Sequence, residues 1–246
     1  MASLWMLYAS FAFAAMGAGV KLASEFYSTS ELLMYRGLIG TLILLFMVRR
    51  QGGTFKTDFG KAHLWRSLVG VTMVLQPAVE SNQWLGGLAG VCSSMISAMA
   101  YMQVRKLGQL GEPEYRVVFY FSLTTTLVGL SATLAGDGPQ GALFHAHTPY
   151  GFLLLLGIGG AALIAQMCMT RAYRVGKVLV VANLQYTGIV FSTLWGLILW
   201  GDAFDWHVWL GIGVILLSGL AATFYNTRKT ARGAIVKDQD PVVSES

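Results

Sequence analysis

The sequence predicts an all-α polytopic membrane protein with about eight transmembrane helices. Of its 246 residues, 55% are hydrophobic and only 12% are charged, and the mean hydropathy is +0.58. Soluble domains carry about 25% charged residues, so this composition is typical of a membrane protein. Apolar segments recur along the whole chain, and the basic residues collect in alternate connections between them.

Eight apolar segments are close in length to the roughly 20 residues that a helix needs to cross a hydrocarbon core. They span residues 3–22, 31–48, 64–79, 84–104, 117–135, 150–170, 178–199 and 207–225. The third is the weakest, because its apolar run contains Arg66 and is followed by Gln76 and Pro77. Residues 227–246 are polar and charged, which predicts a disordered cytoplasmic tail.

The basic residues indicate the topology. When the connections are assigned alternately to two sides, 15 of the 17 Lys and Arg residues, Arg66 among them, fall on one side. The opposite connections, 23–30, 76–83, 136–149 and 200–206, contain none. The positive-inside rule then places both termini in the cytoplasm of a bacterial inner membrane, with an even number of crossings. The basic residues form no broad face, so lipid and not nucleic acid is the expected partner.

Residues 157–224 carry a resemblance to a known family. The stretch contains RAYRVG at 171–176, LQYT at 184–187, WG at 195–196 and WGD at 200–202. In order and spacing these resemble the C-terminal half of EamA-type carriers of the drug/metabolite transporter superfamily. The resemblance implies two five-helix halves, alternating access without ATP, and export of a small metabolite or drug-like compound.

Weak internal similarities predict an inverted repeat, which is typical of secondary transporters. Trp5 parallels Trp84, Glu31 parallels Glu114 and Gly70 parallels Gly157, at offsets of 79, 83 and 87 residues. Residues 1–77 would form a shortened first repeat and residues 78–226 a complete second repeat of five helices. Compared with the ten-helix proteins of the family, the chain lacks some 56 residues near Val71–Gln76. This length corresponds to about two membrane spans.

Lys21 and Arg36 are the basic candidates for a substrate site, because intramembrane charges usually face a bundle interior or a cavity. Lys21 shares a helix face with Phe13 and Gly17, and Gly17 would allow a neighbouring helix to approach. Either Lys21, Tyr35 and Arg36 hold an anionic substrate group, or Lys21 snorkels to the outer interface and Glu31 only neutralises one cation.

Polar residues in the later spans complete the candidate site. Gln166, Asn183 and Tyr186 either line a midplane site or hydrogen-bond between helices, whereas Gln185 points elsewhere. EamA-type sequences often have proline near position 183, so Asn183 weakens the expectation of a helix break there. Asp202 is expected to be structural. Glycines 157, 160 and 211 are expected at helix contacts, either within the chain or between two copies of it.

No cofactor or metal is expected, and no motif of a serine hydrolase, zinc protease or nucleotide-binding enzyme occurs. The pair His145 and His147 lacks an evident third ligand. Two functional hypotheses stay open. The chain is either a carrier, with a homodimer as one way to complete its cavity, or an internally deleted protein that does not transport and acts as a structural or interacting subunit.

Overall fold

The computed structural model describes residues 2–74, 83–135, 144–145, 147–203, 205–219 and 221, with residues 2, 70–74, 83–91, 93 and 94 described by backbone alone. The predicted tail 227–246 and the end of the predicted junction, at positions 75 and 76, lie outside these residues. All regular structure in the described ranges is helical. The predicted all-α fold is confirmed.

The helices follow the predicted apolar segments closely. They are α1 (Ala2–Ala23), α2 (Thr29–Arg50), α3 (Gly60–Val74), α4 (Gln83–Gln109), α5 (Glu114–Leu134), α6 (Pro149–Val175), α7 (Val178–Gln185), α8 (Thr187–Trp200) and α9 (Trp206–Gly219). The seventh predicted segment is the one that departs from expectation, because two helices, α7 and α8, occupy it.

Five stretches in the described part are long and apolar enough to cross a membrane. They are Ser3–Ala23, α2, α5, α6 and the combined stretch Val178–Trp200. At 15 residues α3 is shorter than a full span, and α9 is a shorter apolar helix. The chain is a multi-pass membrane protein, and the count of eight crossings stays a prediction.

Local signals in the sequence set two of the helix starts. At α2, Ser28 and Glu31 form a capping box, in which each side chain accepts a hydrogen bond from the other residue's backbone N–H. At α6, the Thr148 hydroxyl accepts from the Gly151 N–H, and Pro149 occupies the first turn. These cap contacts fix the residues at which α2 and α6 begin.

The most extensive helix contacts are those of α1 with α6 and of α2 with α5. The contact of α1 with α8 comes next, followed by those of α2 with α6 and of α3 with α4. The α7–α8 stretch packs mainly on α1. Of the buried clusters in the described part, the largest joins Met6 of α1 with Leu107 of α4 and with Met169 and Tyr173 of α6. Helices from both halves of the chain therefore contribute to this cluster.

The closest helix contact lies between α2 and α5 and depends on two glycines. A Cβ atom at Gly37 would lie 2.6 Å from the Ser122 carbonyl oxygen, and one at Gly129 would lie 2.5 Å from the Met34 backbone nitrogen. Real Cβ atoms do not approach backbone atoms so closely. Only glycine permits this helix spacing, as in small-residue contacts of membrane helices generally.

The glycines singled out from the sequence do not have this role. A Cβ atom at Gly17, Gly157, Gly160 or Gly211 would meet no heavy atom within 4 Å. Among the described residues, none of these four positions packs closely against a neighbouring helix, so the expectation for Gly17 is wrong. For Gly157, Gly160 and Gly211 the alternative, contact with a second copy of the chain, stays a prediction. Spacing along one helix identifies a smooth face but does not identify which face the neighbouring helix covers.

Candidate functional site

A cavity of about 640 Å³ lies at the centre of the bundle, between α1 to α6 and the α7–α8 stretch. Its volume is in the range of small-molecule sites, about 300 to 1,000 Å³. Much of its wall is apolar, with Phe13, Val104, Met169 and Ile189 among the lining residues. Its polar lining residues are Ser10, Arg36, Arg66, Tyr101, Gln166, Gln185, Ser192 and Thr193.

Two arginines from different helices reach this cavity. Arg36 comes from α2 and Arg66 from α3, and both border Phe121 and Gln166. Arg66 is only 3% exposed, and its guanidinium lies over the Phe121 ring at 4.7 Å. Both cations therefore belong to the lining of the same cavity.

An amide and two tyrosines form a second polar group at the cavity. The Gln185 side-chain nitrogen donates to the Tyr101 hydroxyl at 2.6 Å, and the Tyr173 hydroxyl donates to the Gln185 oxygen at 3.2 Å. The two tyrosine rings stack at 5.0 Å. This packing orients Gln185 and leaves the hydrogen of the Tyr101 hydroxyl available to a bound molecule.

The seventh span is interrupted at Tyr186, beside the cavity. Tyr186 ends α7 and precedes α8, and its N–H bonds to the Asn183 carbonyl at 3.2 Å in a tighter turn. The Thr187 hydroxyl donates to the Leu184 carbonyl at 2.6 Å. The helix is therefore irregular here although position 183 is Asn and not proline. The Thr187 side chain supplies a hydrogen bond to the Leu184 carbonyl at this irregularity.

Lys21 does not belong to the central site. Its ammonium lies 3.8 Å from the Asp202 carboxylate and 3.9 Å from the centre of the Trp200 ring, and its side chain is 56% exposed. These residues line a separate cavity of about 340 Å³ at the ends of α1 and α8. The expected cluster of Lys21 with Arg36 is not formed, because the Lys21 side chain points to the end of the bundle and pairs there.

Tyr35 and Glu31 also have other partners. The Tyr35 hydroxyl bonds to His147 Nε2 at 2.9 Å, and Glu31 accepts from the backbone and the ring of His145. Tyr27 contacts His147 Nδ1 at 3.1 Å. Burial first, and the Glu31 charge second, raise the pKa of the Tyr27 phenol, so this hydroxyl keeps its proton at neutral pH. The cluster joins α2 to the segment before α6 and leaves Arg36 without its expected partner.

Asn183 and Tyr186, expected at the cavity, lie elsewhere. The Asn183 amide donates to the Gly219 carbonyl at 2.9 Å and so ties α7 to α9. Tyr186 is 48% exposed and is not among the lining residues. Gln185, expected to point away, lines the cavity instead. Asn183 and Gln185 do lie on different faces of α7, but the face of Gln185 is the one that meets the cavity.

Of the six candidates from the sequence, Arg36 and Gln166 line the central cavity, and Lys21, Tyr35, Asn183 and Tyr186 do not. Arg66 was missed because it was assigned to a basic cytoplasmic connection. It lies inside α3 and is buried. The sequence does contain a sign of this role, because Arg66 lies within the apolar run 64–75. An arginine inside such a run indicates either a weak membrane span or a side chain that faces a cavity.

Comparison with known proteins gives several transporters. The chain is 25% identical to the pseudopaline exporter CntI of Pseudomonas aeruginosa, over 82% of this chain and 88% of that protein. It is 26% identical to an uncharacterized transporter of Helicobacter pylori, over 87% and 92% of the two chains. It is also 26% identical to a riboflavin transporter of Vibrio cholerae, over 67% of this chain and 52% of that protein.

Residues 84–224 match the EamA-like transporter family. The match contains the whole stretch on which the sequence resemblance rests, together with α4 and α5. The matched range is more than half of the 246 residues. The protein therefore belongs to the EamA-like transporter family and is a multi-pass membrane transporter of small molecules.

Proposed function

We propose that the protein exports a small metabolite or drug-like organic compound by alternating access, without ATP hydrolysis, and binds it in the central cavity. The observation that carries this proposal is the cavity itself, about 640 Å³ in volume and lined from both halves of the chain. The names of the relatives support the direction, since one is an exporter. No nucleotide-binding motif occurs in the sequence.

The helix pairing supports alternating access. In the proposed inverted repeat, α1, α2 and α3 correspond to α4, α5 and α6. The twofold operation that relates the repeats then turns the helix pair α1–α6 into the pair α4–α3. It leaves the pair α2–α5 unchanged. All three pairs are in contact, the α3–α4 pair less extensively than the other two. In transporters with inverted repeats, one repeat moves against the other around a site near the midplane, often beside an irregular helix. The irregularity at Tyr186 follows Gln185, which lines the central cavity.

We also propose the division into a shortened repeat at residues 1–77 and a complete repeat at 78–226. The family match at 84–224 supports the second boundary. The alignment with the pseudopaline exporter is 258 positions long. It includes 82% of the 246 residues of this chain, which is about 202 residues. About 56 positions of the relative therefore have no counterpart in this chain. This number supports the loss of about two spans.

The shortened repeat is also the observation that favours the second hypothesis, a protein that inserts in the membrane but does not transport. Both α7 and α8 pack on α1. Because the proposed inversion makes α4 the counterpart of α1, two helices of the first repeat would cover α4 in the same way. Those are the helices that the shortened repeat lacks. Met95, Met99 and Met102 of α4 are about half exposed or more. A direct measurement of export separates the two hypotheses.

The test places tryptophan at two glycines of different surroundings. Gly188 lines the cavity, and a Cβ atom there would have only ordinary contacts, the nearest at 3.8 Å to Ser10. Gly157 is exposed on α6 with nothing within 4 Å. We expect Gly188→Trp to fill part of the cavity and reduce export at least about tenfold, a loss of about 1.4 kcal/mol in transition-state stabilisation, while Gly157→Trp retains it.

Export is measured by profiling metabolites in the medium of a bacterial host that produces the unmodified chain, either variant, or none. The carrier hypothesis expects at least one compound to be enriched outside the cell with the unmodified chain and Gly157→Trp only. Equal membrane levels of all three proteins serve as the control. An unchanged medium at those levels would favour the non-transporting subunit, and enrichment inside the cell would contradict the export direction.

We propose that both termini face the cytoplasm of the bacterial inner membrane. Fourteen of the 17 basic residues support this. Arg66, counted with them from the sequence, is buried in α3 and so contributes to the bundle and not to a connection. We expect green fluorescent protein to fluoresce, and alkaline phosphatase to be inactive, when fused at either end. An active phosphatase at one end would contradict the even number of crossings.

A further inference from the structure

We propose that the central cavity binds the carboxylate of a small organic acid between Arg36 and Arg66, so that the transported substrate is an anion. This inference rests on the proposed function, to which it adds the chemical class of the substrate.

Arg66 has donors that no described residue satisfies. Its Nε and Nη1 atoms are buried without a hydrogen-bond partner. Its Nη2 atom has one long contact, 3.5 Å to the Gln166 side-chain oxygen. The Phe121 ring stabilises the charge through a cation–π contact but accepts no conventional hydrogen bond. A buried guanidinium in this condition can still bind an acceptor that enters the cavity.

Arg36 is in a similar condition on the neighbouring helix. Its Nη2 atom is buried without a partner, and its Nη1 atom is 3.8 Å from the Met16 sulfur, a weak acceptor. Glu31, one turn and a half earlier in α2, is held by His145 and the α2 capping box. The carboxylate closest to Arg36 along its helix is therefore occupied.

Among the described residues, no acidic side chain supplies a compensating negative charge to the cavity wall. Three described carboxylates pair with other cations: Glu112 with Arg116, Glu114 with Arg174, and Asp202 with Lys21. Glu31 and Asp205 contact the rings of His145 and His207. Two buried cations without an anion are costly, and a bound anion would compensate them.

The donors and the remaining wall indicate the kind of anion. Guanidinium groups match the planar, two-oxygen geometry of a carboxylate, and the Tyr101 hydroxyl can donate a further hydrogen bond. Phe13, Val104 and Ile189 supply apolar surface in the same cavity. The predicted ligand therefore combines one carboxylate with an aromatic or aliphatic body.

The experiment measures ligand-induced thermal stabilisation of the full chain in phosphatidylcholine nanodiscs. The probes are three carboxylates paired with their neutral primary amides: indole-3-acetate, 3-phenylpropionate and octanoate. The variants are Arg36→Gln, Arg66→Gln and the double variant. The matched control is Arg171→Gln, because Arg171 is exposed and contacts Trp5 outside the cavity. Arg66→Lys keeps the charge without the guanidinium geometry.

We expect at least one carboxylate, and not its amide, to raise the melting temperature. Each Arg→Gln change should weaken that binding about 10- to 100-fold, the usual size of a charge-assisted hydrogen bond. Arg171→Gln should leave it unchanged, and Arg66→Lys should restore part of it. Without ligand, Arg66→Gln should not lower the melting temperature, because it removes an uncompensated buried charge.

Three results would overturn the proposal. They are stabilisation by the amides as strong as by the acids, acid binding unchanged in the double variant, and no stabilisation by any acid. A fall of several degrees in unliganded Arg66→Gln would also overturn it by indicating a structural role. Binding of the amides alone would contradict only the anionic class and leave the transport hypothesis standing. Acid binding without export would contradict transport and leave the site.

Discussion

Replacement of Gly129 by alanine is expected to destabilise the bundle by about 3 kcal/mol or more, at the upper end of the range for overpacked sites. The added Cβ atom would lie 2.5 Å from the Met34 nitrogen and 2.7 Å from the Met34 Cα atom. Both are backbone atoms of α2, so no side-chain rotation can relieve the contact. The α2–α5 pair would have to separate, and with it the wall that carries Arg36.

The measurement is the unfolding of the purified protein with increasing mole fraction of SDS in mixed micelles. Gly157→Ala is the matched control, because its Cβ atom would meet nothing within 4 Å. It is expected to leave the unfolding midpoint unchanged or to raise it slightly, since alanine is the better helix former by about 1 kcal/mol or less. Equal midpoints for Gly129→Ala and Gly157→Ala would contradict the close α2–α5 contact.

Replacement of Glu31 by alanine is expected to destabilise the protein by about 3 kcal/mol. The Glu31 side chain is fully buried. It accepts from the Ser28 N–H at 3.1 Å, from the His145 N–H at 2.8 Å and from the His145 ring at 2.6 Å. Alanine removes these acceptors, leaves the partly buried donors of Ser28 and His145 unpaired and also removes half of the α2 capping box.

Glu114 is the matched control, since it is the predicted repeat counterpart of Glu31 and also lies in the first turn of its helix. Its carboxylate pairs with Arg174 at 3.1 Å, and both side chains are partly exposed. Screening by solvent limits such a pair to about 1 kcal/mol or less. The same SDS titration should separate the two variants. Equal losses from Glu31→Ala and Glu114→Ala would contradict the role assigned to burial.

The candidate site was predictable only in part. Arg36 and Gln166 follow from the rule that polar groups inside membrane spans face a cavity. The same rule predicts from the sequence that Lys21 faces the cavity. Its long side chain instead reaches Asp202 and Trp200 at the end of the bundle. A flexible side chain near a helix end has partners in more than one direction, so its position along the chain does not determine its contacts.

Gln185 and Asn183 show what helical spacing leaves open. Both lie in the regular helix α7, and the spacing places them on different faces. The structure agrees, since Gln185 bonds to Tyr101 and Tyr173 whereas Asn183 bonds to α9. The spacing does not say which of the two faces meets the cavity, because residues on other helices decide that.

The sequence by itself determined the membrane class, the order and approximate limits of the helices, and the family. Apolar length, charge distribution and a local motif stretch are properties of consecutive residues, and the bilayer converts them directly into helices. The tertiary structure alone decided that Arg36 and Arg66 meet at one cavity, that Glu31 is bound by His145, and that Gly129 rather than Gly157 is the close contact. These three contacts depend on which face of each helix is covered by a neighbouring helix. Residues far apart in the chain determine which faces are covered, so the contacts cannot be read from consecutive residues.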